Sequence, residues 1–161
     1  MNILILGSGG REHSIAWAVM QNPKCDKLIV APGNAGIAQI AECATLDIED
    51  GAAVVGFCGT NAIDFVIVGP EAPLAAGVGD RLRDAGILVF GPSQAAAELE
   101  ASKRFTKAIC DAAGITVIED CAHTMGAAWK GRASGRWGKV GCYSTQTYKH
   151  MNSGEGGLLV T

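Results

Sequence analysis

Short unbroken apolar runs recur along the first two thirds of the chain, and a glycine or proline follows most of them. Runs of this length are typical of strands that are buried on both faces of a parallel sheet. Between the runs, apolar residues recur at helical spacing, as at Ile15, Ala16 and Val19. The pattern predicts strands at 3–6, 28–30, 65–68 and 87–90, and helices at 11–20, 51–58, 75–85, 94–100 and 103–113.

Strands that alternate with helices form right-handed βαβ units, so we predict an α/β fold with a doubly wound, mainly parallel, Rossmann-like sheet. Ligands bind such sheets beyond the carboxyl ends of the strands, where the strand order reverses. The pattern changes after Gly114. It then predicts strands at 116–118, 140–145 and 157–160, a loop at 149–156 and no regular structure at 124–139. We expect the helix at 103–113 to bring 116–118 to the edge of the parallel sheet. The C-terminal strands, at least one of them antiparallel, should then extend or flank that sheet.

Composition narrows the class of protein. Hydrophobic residues make up 48% of the chain and charged residues 18%, which excludes an intrinsically disordered protein. The net charge of −3 gives no electrostatic case for a nucleic-acid partner, and no apolar run approaches the roughly 20 residues of a membrane span. The first residues lack the basic start of a signal peptide, and the six cysteines include no Cys-x-x-Cys pair. We therefore expect a cytoplasmic protein with reduced thiols, no membrane or nucleic-acid partner and no bound metal.

The charge balance divides the chain near Ile115. Up to that residue there are 8 basic and 13 acidic residues, whereas from Thr116 onward there are 5 and 3. All four phenylalanines precede this point, and both tyrosines follow it. The shift is compatible with chance within one domain, and it is also what is expected where two segments of different origin meet.

The turn after the first predicted strand carries candidate phosphate-binding chemistry. Its residues are Gly7, Ser8, Gly9, Gly10, Arg11, Glu12 and His13. Glycines at a strand-to-helix turn allow backbone N–H groups to approach a phosphate at the helix N-terminus. Glu12 occupies the third glycine position of the dinucleotide fingerprint, which disfavours NAD. Arg11 and Glu12 instead suit a sugar phosphate with its hydroxyl or amine groups; the alternative is a tight turn without a ligand.

A second turn, at Gly69, Pro70 and Glu71, follows the strand at 65–68. A carboxylate just beyond a parallel strand lies at the crevice where ligands bind. Glu71 is also placed to act as a favourable negative charge at a helix N-terminus. The sequence leaves both interpretations open.

Four segments, in this order, resemble the N-terminal domain of the phosphoribosylamine–glycine ligase family, the glycinamide ribonucleotide synthetases of purine biosynthesis, which are ATP-grasp ligases. The segments are NILILGSGGREH at 2–13, APGNAG at 31–36, VGPEAPL at 68–74 and ASKRFTK at 101–107. The resemblance is continuous over residues 1–115. It implies the following placements: Gly9, Gly10, Arg11 and Glu12 face a phosphoribosyl substrate, Gly33, Asn34 and Glu71 lie nearby, and Lys103 lies on the ATP side of the cleft.

We expect a bound phosphate to lie at the turn of Ser8, Gly9 and Gly10, because a helix N-terminus offers free N–H groups and positive potential. The resemblance also implies that a separate ATP-grasp domain supplies most nucleotide contacts and the Mg²⁺ carboxylates. Phosphoryl transfer depends on such metal and cationic positioning. Nothing after Ile115 resembles that domain, so complete ligase chemistry is not expected.

The remaining residues, 116–161, resemble the DegT/DnrJ/EryC1 sugar aminotransferases, which use pyridoxal phosphate. The matching segments are VIEDCAHTMG at 117–126, GCYST at 141–145 and KHMNSGEGG at 149–157. The resemblance implies Lys149 as the Schiff-base lysine, Asp120 as the partner of the pyridinium nitrogen, His123 beside the ring and Ser144 near the phosphate. A lysine amine forms an imine with this cofactor, and a carboxylate keeps its ring nitrogen protonated. The alternative is that Lys149 is an ordinary solvated lysine in a glycine-rich loop.

We therefore interpret the chain as a recombined or engineered chimera. A Rossmann-like pre-ATP-grasp segment at 1–115 is joined to an aminotransferase-derived segment at 116–161 that completes the same domain. We expect a folded protein without turnover and without a required cofactor, for which ATP and pyridoxal phosphate are at most vestigial ligands. The alternatives are residual binding of phosphate or phosphoribosyl molecules, ligase half-site chemistry, weak pyridoxal phosphate binding through Lys149, and self-association through an exposed edge at Leu158, Leu159 and Val160.

Overall fold

The computed structural model describes all 161 residues, which form two compact units, 1–103 and 104–161. The helices are α1 (Gly10–Met20), α2 (Gly51–Thr60), α3 (Glu71–Ala75), α4 (Val78–Asp84), α5 (Gln94–Ala101) and α6 (Lys103–Ala112). The strands are β1 (Asn2–Gly7), β2 (Lys27–Pro32), β3 (Glu42–Cys43), β4 (Phe65–Val68), β5 (Leu88–Phe90), β6 (Ile118–Asp120), β7 (Ala128–Trp129), β8 (Arg132–Ala133), β9 (Val140–Ser144) and β10 (Gly157–Val160). No helix has the length and apolar character that crossing a membrane requires.

The first unit contains a five-stranded parallel sheet in the order β3-β2-β1-β4-β5. Leu4 of β1 pairs with Ile29 of β2 on one side and with Val66 of β4 on the other. The chain passes outward from β1 to β3 and then returns to β4, so the strand order reverses between β1 and β4. The predicted α/β, mainly parallel, Rossmann-like fold is confirmed. The reversal places the expected ligand crevice at the carboxyl ends of β1 and β4.

The two faces of this sheet bury separate apolar clusters. On one face, Leu4 packs with Val54 of α2 and Leu82 of α4, and all three side chains are fully buried. On the other face, Ile5 packs against Ala16 of α1. Because successive strand residues point to opposite faces, a strand covered on both sides needs an unbroken apolar run. This accounts for the runs by which the strands were predicted.

The second unit has a sheet of its own, in the order β10-β9-β6. β6 pairs with β9 in parallel, and β10 pairs with β9 antiparallel, as at Leu159 and Cys142. The expectation of an antiparallel C-terminal strand is confirmed, but the expectation that these strands extend the first sheet is wrong. β6 finds its partner within residues 104–161, since Ile118 pairs with Val140, and the N–H of Cys121 donates to the carbonyl of Cys142 (2.8 Å).

Two further expectations about local structure are wrong. The helix predicted at 75–85 corresponds to α4, which begins only at Val78 after Gly77 in a left-handed conformation (φ +82°), and a separate short helix, α3, precedes it at Glu71–Ala75. The segment 124–139, predicted to lack regular structure, contains the short antiparallel hairpin β7–β8, in which Trp129 pairs with Arg132. The predicted seam at Ile115 lies within the second unit.

Candidate functional site

The turn between β1 and α1 lies at the carboxyl edge of the five-stranded sheet. Gly9 is the residue before α1, and its N–H donates to the Glu12 carboxylate at Oε2 (2.7 Å). The N–H of His13 donates to the Gly9 carbonyl (3.1 Å). The N–H groups of Gly10 and Arg11, in the first turn of α1, make no hydrogen bond within the protein. They are therefore available to an anion at the positive end of the helix.

Glu12 is buried, with 4% of its surface exposed, and its carboxylate faces the turn rather than solvent. Arg11 Nε donates to Glu12 Oε1 (3.0 Å). Burial acts to raise the pKa of Glu12, but the Arg11 guanidinium and the Gly9 N–H bind its charged form and together hold the pKa below its usual value. The resemblance implied that Glu12 faces a substrate. The structure places its carboxylate where it fixes the turn on which Gly9 and Arg11 are presented.

Three glycines surround this carboxylate. A Cβ on Gly7 would come within 2.6 Å of Glu12 Cγ, one on Gly9 within 2.8 Å of Oε2, and one on Gly69 within 2.7 Å of Cδ. Real Cβ atoms essentially never approach other atoms this closely. Gly7 also has a φ of +132°, which side chains rarely allow. The glycines of the first two turns thus make room for a buried side chain of the protein, in addition to any room they make for a ligand.

Asn34 ties the loop after β2 to the same turn. Its Nδ2 donates to the carbonyl of Ser8 (2.7 Å), and its Oδ1 accepts from the N–H groups of Gly36 and Ile37 (both 2.9 Å). The N–H of Gly33 donates to the carbonyl of Gly7 (3.1 Å). Gly33 and Asn34 therefore lie next to the turn that follows β1. The contacts that both residues make hold two loops together.

A cleft of about 500 Å³ opens beside this turn, at the ends of β4 and β5. Its polar lining includes the side chains of Arg11, Glu71 and Glu100. Apolar side chains of Leu74 and Phe90 form part of its walls. The cleft brings together Arg11 and Glu71, two predicted site residues from different loops. A pocket of this volume is within the range that holds small ligands.

The sequence analysis missed the wall of the cleft that follows β5, which includes Gly91 and Pro92. A signal for it was present, because a strand followed by Gly-Pro occurs at Gly69 and Pro70 and again at Gly91 and Pro92. Neighbouring parallel strands end at the same edge of the sheet, so the loops that follow them lie side by side. Lys103, assigned by resemblance to the ATP side, is exposed at the start of α6.

In the second unit, the buried carboxylate of Glu119 organises the chain around it. Lys107 Nζ donates to its Oε2 (2.7 Å), and the backbone N–H groups of Gly135, Trp137 and Gly138 donate to the same carboxylate. Burial acts to raise the pKa of Glu119, but Lys107 and these N–H groups hold it below its usual value. Because every one of these donors belongs to the protein, Glu119 stabilises the unit rather than offering a ligand site.

Two of the four residues assigned to pyridoxal phosphate come together. Lys149 Nζ lies 3.0 Å from Nε2 of His123. Asp120 Oδ1 instead accepts from the N–H of Ala122 (3.0 Å), and the Ser144 hydroxyl accepts from the N–H of Gln146 (3.3 Å). Each of these two side chains is occupied by backbone two residues away. Lys149 and His123 are thus in contact, whereas Asp120 Oδ1 and the Ser144 oxygen each accept one hydrogen bond from nearby backbone.

The strand order of the five-stranded sheet, with helices on both of its faces, defines the class of this molecule as a Rossmann-like α/β domain. The family model described as "Phosphoribosylglycinamide synthetase, N domain" matches residues 1–100. The chain belongs to this family. A second model, the DegT/DnrJ/EryC1/StrS aminotransferase family, matches residues 98–161.

Curated relatives agree with the first match. The phosphoribosylamine–glycine ligase of Agrobacterium fabrum is 59% identical over 110 residues, and that of Rhizobium meliloti is 58% identical over 115. These alignments cover 68% and 71% of this chain, but only 26% and 27% of the relatives. The chain therefore spans about a quarter of the length of the ligases that it matches.

Solved structures show the same fold. The phosphoribosylamine–glycine ligase of Thermotoga maritima superposes with a TM-score of 0.52 at 27% identity, over 73% of this chain and 26% of that one. The biotin carboxylase domain of a single-chain bacterial carboxylase gives a TM-score of 0.55 at 15% identity, over 74% of this chain and 30% of that one. The second likeness is one of fold alone.

Proposed function

We propose that the first unit binds a phosphorylated small molecule, of the phosphoribosyl class, at the carboxyl edge of its sheet. The observation that carries the proposal is the pair of unbonded N–H groups of Gly10 and Arg11 beside a cleft that Arg11 itself lines. An anion at this turn would meet two N–H donors, the positive end of α1 and a guanidinium. Glu71, across the cleft, suits a hydroxyl or amine of the attached sugar.

The internal contacts of Glu12 support this proposal. If its carboxylate pointed outward, it would repel a phosphate at the same turn. Because it is bound by Gly9 and Arg11, its charge is paired inside the protein. Arg11 has one nitrogen committed to Glu12, and its side chain remains 64% exposed. Its other N–H groups are therefore free to reach a phosphate.

Calorimetric titration with ribose 5-phosphate tests the proposal, with ribose as the matched ligand that lacks the phosphate. Ribose 5-phosphate should bind and ribose should not. Arg11→Ala should weaken binding by roughly tenfold or more, because hydrogen bonds to charged groups are worth about 1.5–3 kcal/mol. Lys24→Ala, at an exposed cation outside the cleft, should leave binding unchanged. Equal binding of the two sugars, or an unchanged Arg11→Ala variant, would count against the phosphate site.

We further propose that the chain is a chimera that binds without turning over. Matches to two different families support this interpretation, because one ends at residue 100 and the other begins at 98. The boundary between the two compact units, after Lys103, falls close to the same point. For the residues that match the ligase family, 1–100, we propose ligand binding only. The residues that follow them match an aminotransferase family. Pyridoxal phosphate forms no part of the proposed function, because the match to the aminotransferase family covers only residues 98–161.

A further inference from the structure

The second unit concentrates positive charge in one stretch of the chain. Between residues 121 and 154 there are five basic residues and no acidic one, whereas residues 1–103 carry 12 acidic and 6 basic residues. The net charge of the whole chain therefore masks this positive stretch. Four of its basic side chains lie within or just after the β7–β8 hairpin, are exposed and form no ion pair: Lys130, Arg132, Arg136 and Lys139. Their charges are thus available to an anionic partner.

One of these arginines lies together with two exposed tryptophans. Trp129 pairs with Arg132 across the hairpin, and residues directly opposite each other in an antiparallel pair project from the same face. The guanidinium of Arg132 lies over the indole ring of Trp137, 5.0 Å from the ring centroid. The two tryptophans, Trp129 and Trp137, are 63% and 38% exposed. Trp129, Arg132 and Trp137 thus form an aromatic strip that is open to solvent.

The base of the hairpin is bonded to the rest of the second unit. The N–H of Ser134 donates to the carbonyl of Ala127 (2.9 Å), which closes the hairpin, and the N–H of Trp137 donates to the buried carboxylate of Glu119. That carboxylate is paired with Lys107 (2.7 Å), so its negative charge does not offset the basic side chains around the strip. The aromatic strip therefore lies on a defined, positively charged face of the unit.

We propose that this face of the second unit binds single-stranded nucleic acid, whose bases stack on the aromatic strip while the basic side chains beside it bind the phosphates. Tryptophan rings and arginine planes stack with bases, and exposed cations follow the phosphate backbone. An acidic peptide or an anionic lipid would meet the charges but would bring no flat rings to the indoles. In a duplex the bases are stacked on one another and cannot reach the strip. A single strand is the partner that uses both features, and a strip of this size holds about two bases without regard to sequence.

Fluorescence anisotropy of a labelled oligomer of about ten thymidines, titrated with the full chain at low ionic strength, tests the proposal. Trp129→Ala should raise the dissociation constant by at least about fivefold, because it removes one stacked base. Arg132→Lys keeps the charge but loses the planar guanidinium, so it should also weaken binding. Trp17→Ala is the matched control, because Trp17 is 60% exposed on α1 in the first unit, and it should bind like the parent. All three side chains are exposed, so circular dichroism should be unchanged.

Competition separates a single strand from other anionic partners. The unlabelled single strand should displace the probe better than a duplex of the same length, polyglutamate or vesicles of anionic phospholipid. The slope of log dissociation constant against log salt concentration should be at most about 3, as expected for four cations on a single strand. Equal displacement by the duplex would reduce the site to charge alone, and stronger displacement by polyglutamate or vesicles would assign it to a different partner. Either result, an unchanged affinity in Trp129→Ala, or no binding by the parent, would overturn the proposal.

Discussion

The carboxylate of Glu12 lies directly against the backbone of Gly69, so that a Cβ on Gly69 would come within 2.7 Å of Glu12 Cδ. Glu12 lies in the first turn of α1, just after β1, and Gly69 lies in the loop after β4. The backbone conformation of Gly69 is not left-handed, and what excludes a side chain there is the space that Glu12 occupies. This contact joins the segments that follow β1 and β4, on either side of the point where the strand order reverses.

Replacing Gly69 by alanine should therefore destabilise the first unit. The new methyl group must displace a buried carboxylate with its hydrogen bonds, and overpacking of this kind costs about 1–3 kcal/mol. The midpoint of thermal unfolding should fall by several degrees. Gly56→Ala is the matched control, because a Cβ there meets nothing within 4 Å and Gly56 lies on the exposed side of α2. It should stabilise the protein by about 0.5–1 kcal/mol. If both variants shift the midpoint alike, the contact between Glu12 and Gly69 has no energetic weight.

Acidification should weaken the second unit through Glu119. The pKa of this carboxyl is lower in the folded protein than in the unfolded chain, so its ionised form adds stability above the unfolded value of about 4.3. That contribution is lost as the pH falls through the lower, folded value. Between pH 5 and 3, the urea midpoint of the parent should therefore fall more than that of Glu119→Gln. Glu155→Gln, at an exposed position, should keep the pH dependence of the parent. Identical profiles for all three proteins would contradict this role of Glu119.

The paired strands of the first unit should exchange their amide hydrogens far more slowly than the hairpin β7–β8. β1 lies between two strands, and Leu4, Ile5 and Leu6 are fully buried. The hairpin strands have two residues each, and all four are exposed. Opening so short a ladder breaks few hydrogen bonds and exposes little apolar surface. Exchange read by mass spectrometry should show 128–133 deuterated well before 3–6. Slower exchange in the hairpin would refute this prediction.

The sequence predicted the fold of the first unit well because β1, β4 and β5 are apolar runs bounded by glycine. β3 was missed because two residues give no detectable period, and its pairing with Ile29 and Val30 is a tertiary event. α3 was not predicted, and α4 was predicted to begin at residue 75 instead of Val78, because apolar spacing does not reveal the left-handed turn at Gly77. In both cases the outcome depends on where other segments of the chain lie in the folded structure. A local sequence pattern does not contain this information.

The candidate site was predicted less completely than the fold. The glycine turn and Glu71 could be placed, because both follow strands whose ends share one edge. The inward orientation of Glu12 could not be predicted, since it depends on the space that Gly69 leaves from a loop more than fifty residues away. The prediction that β6 joins the first sheet is wrong for the same reason. Strand pairing at the seam is decided by which edge is free, and the sequence does not show this.

The chain should not form glycinamide ribonucleotide from phosphoribosylamine, glycine and Mg-ATP. It aligns with only about a quarter of the length of the ligases that it resembles, and residues 98–161 match an aminotransferase family. Phosphoryl transfer needs metal ions and cations positioned around the transferred group. Product should therefore stay at the level of a no-protein control when it is followed by mass spectrometry, with a full-length ligase as the positive control. Product above that level would disprove binding without turnover.

Lys149 should not form a stable imine with pyridoxal phosphate at micromolar concentration. Its amine lies 3.0 Å from Nε2 of His123, but the carboxylate of Asp120 and the hydroxyl of Ser144 are bonded to the backbone N–H groups of Ala122 and Gln146. Asp120 Oδ1 and the Ser144 oxygen take part in these local turns, so cofactor contacts through the same atoms would compete with the backbone bonds. Absorbance of the protonated imine, compared between the parent and Lys149→Ala, measures this directly. Both proteins should show the same weak, non-saturating signal that other surface lysines give. A saturable band that disappears in Lys149→Ala would contradict this prediction.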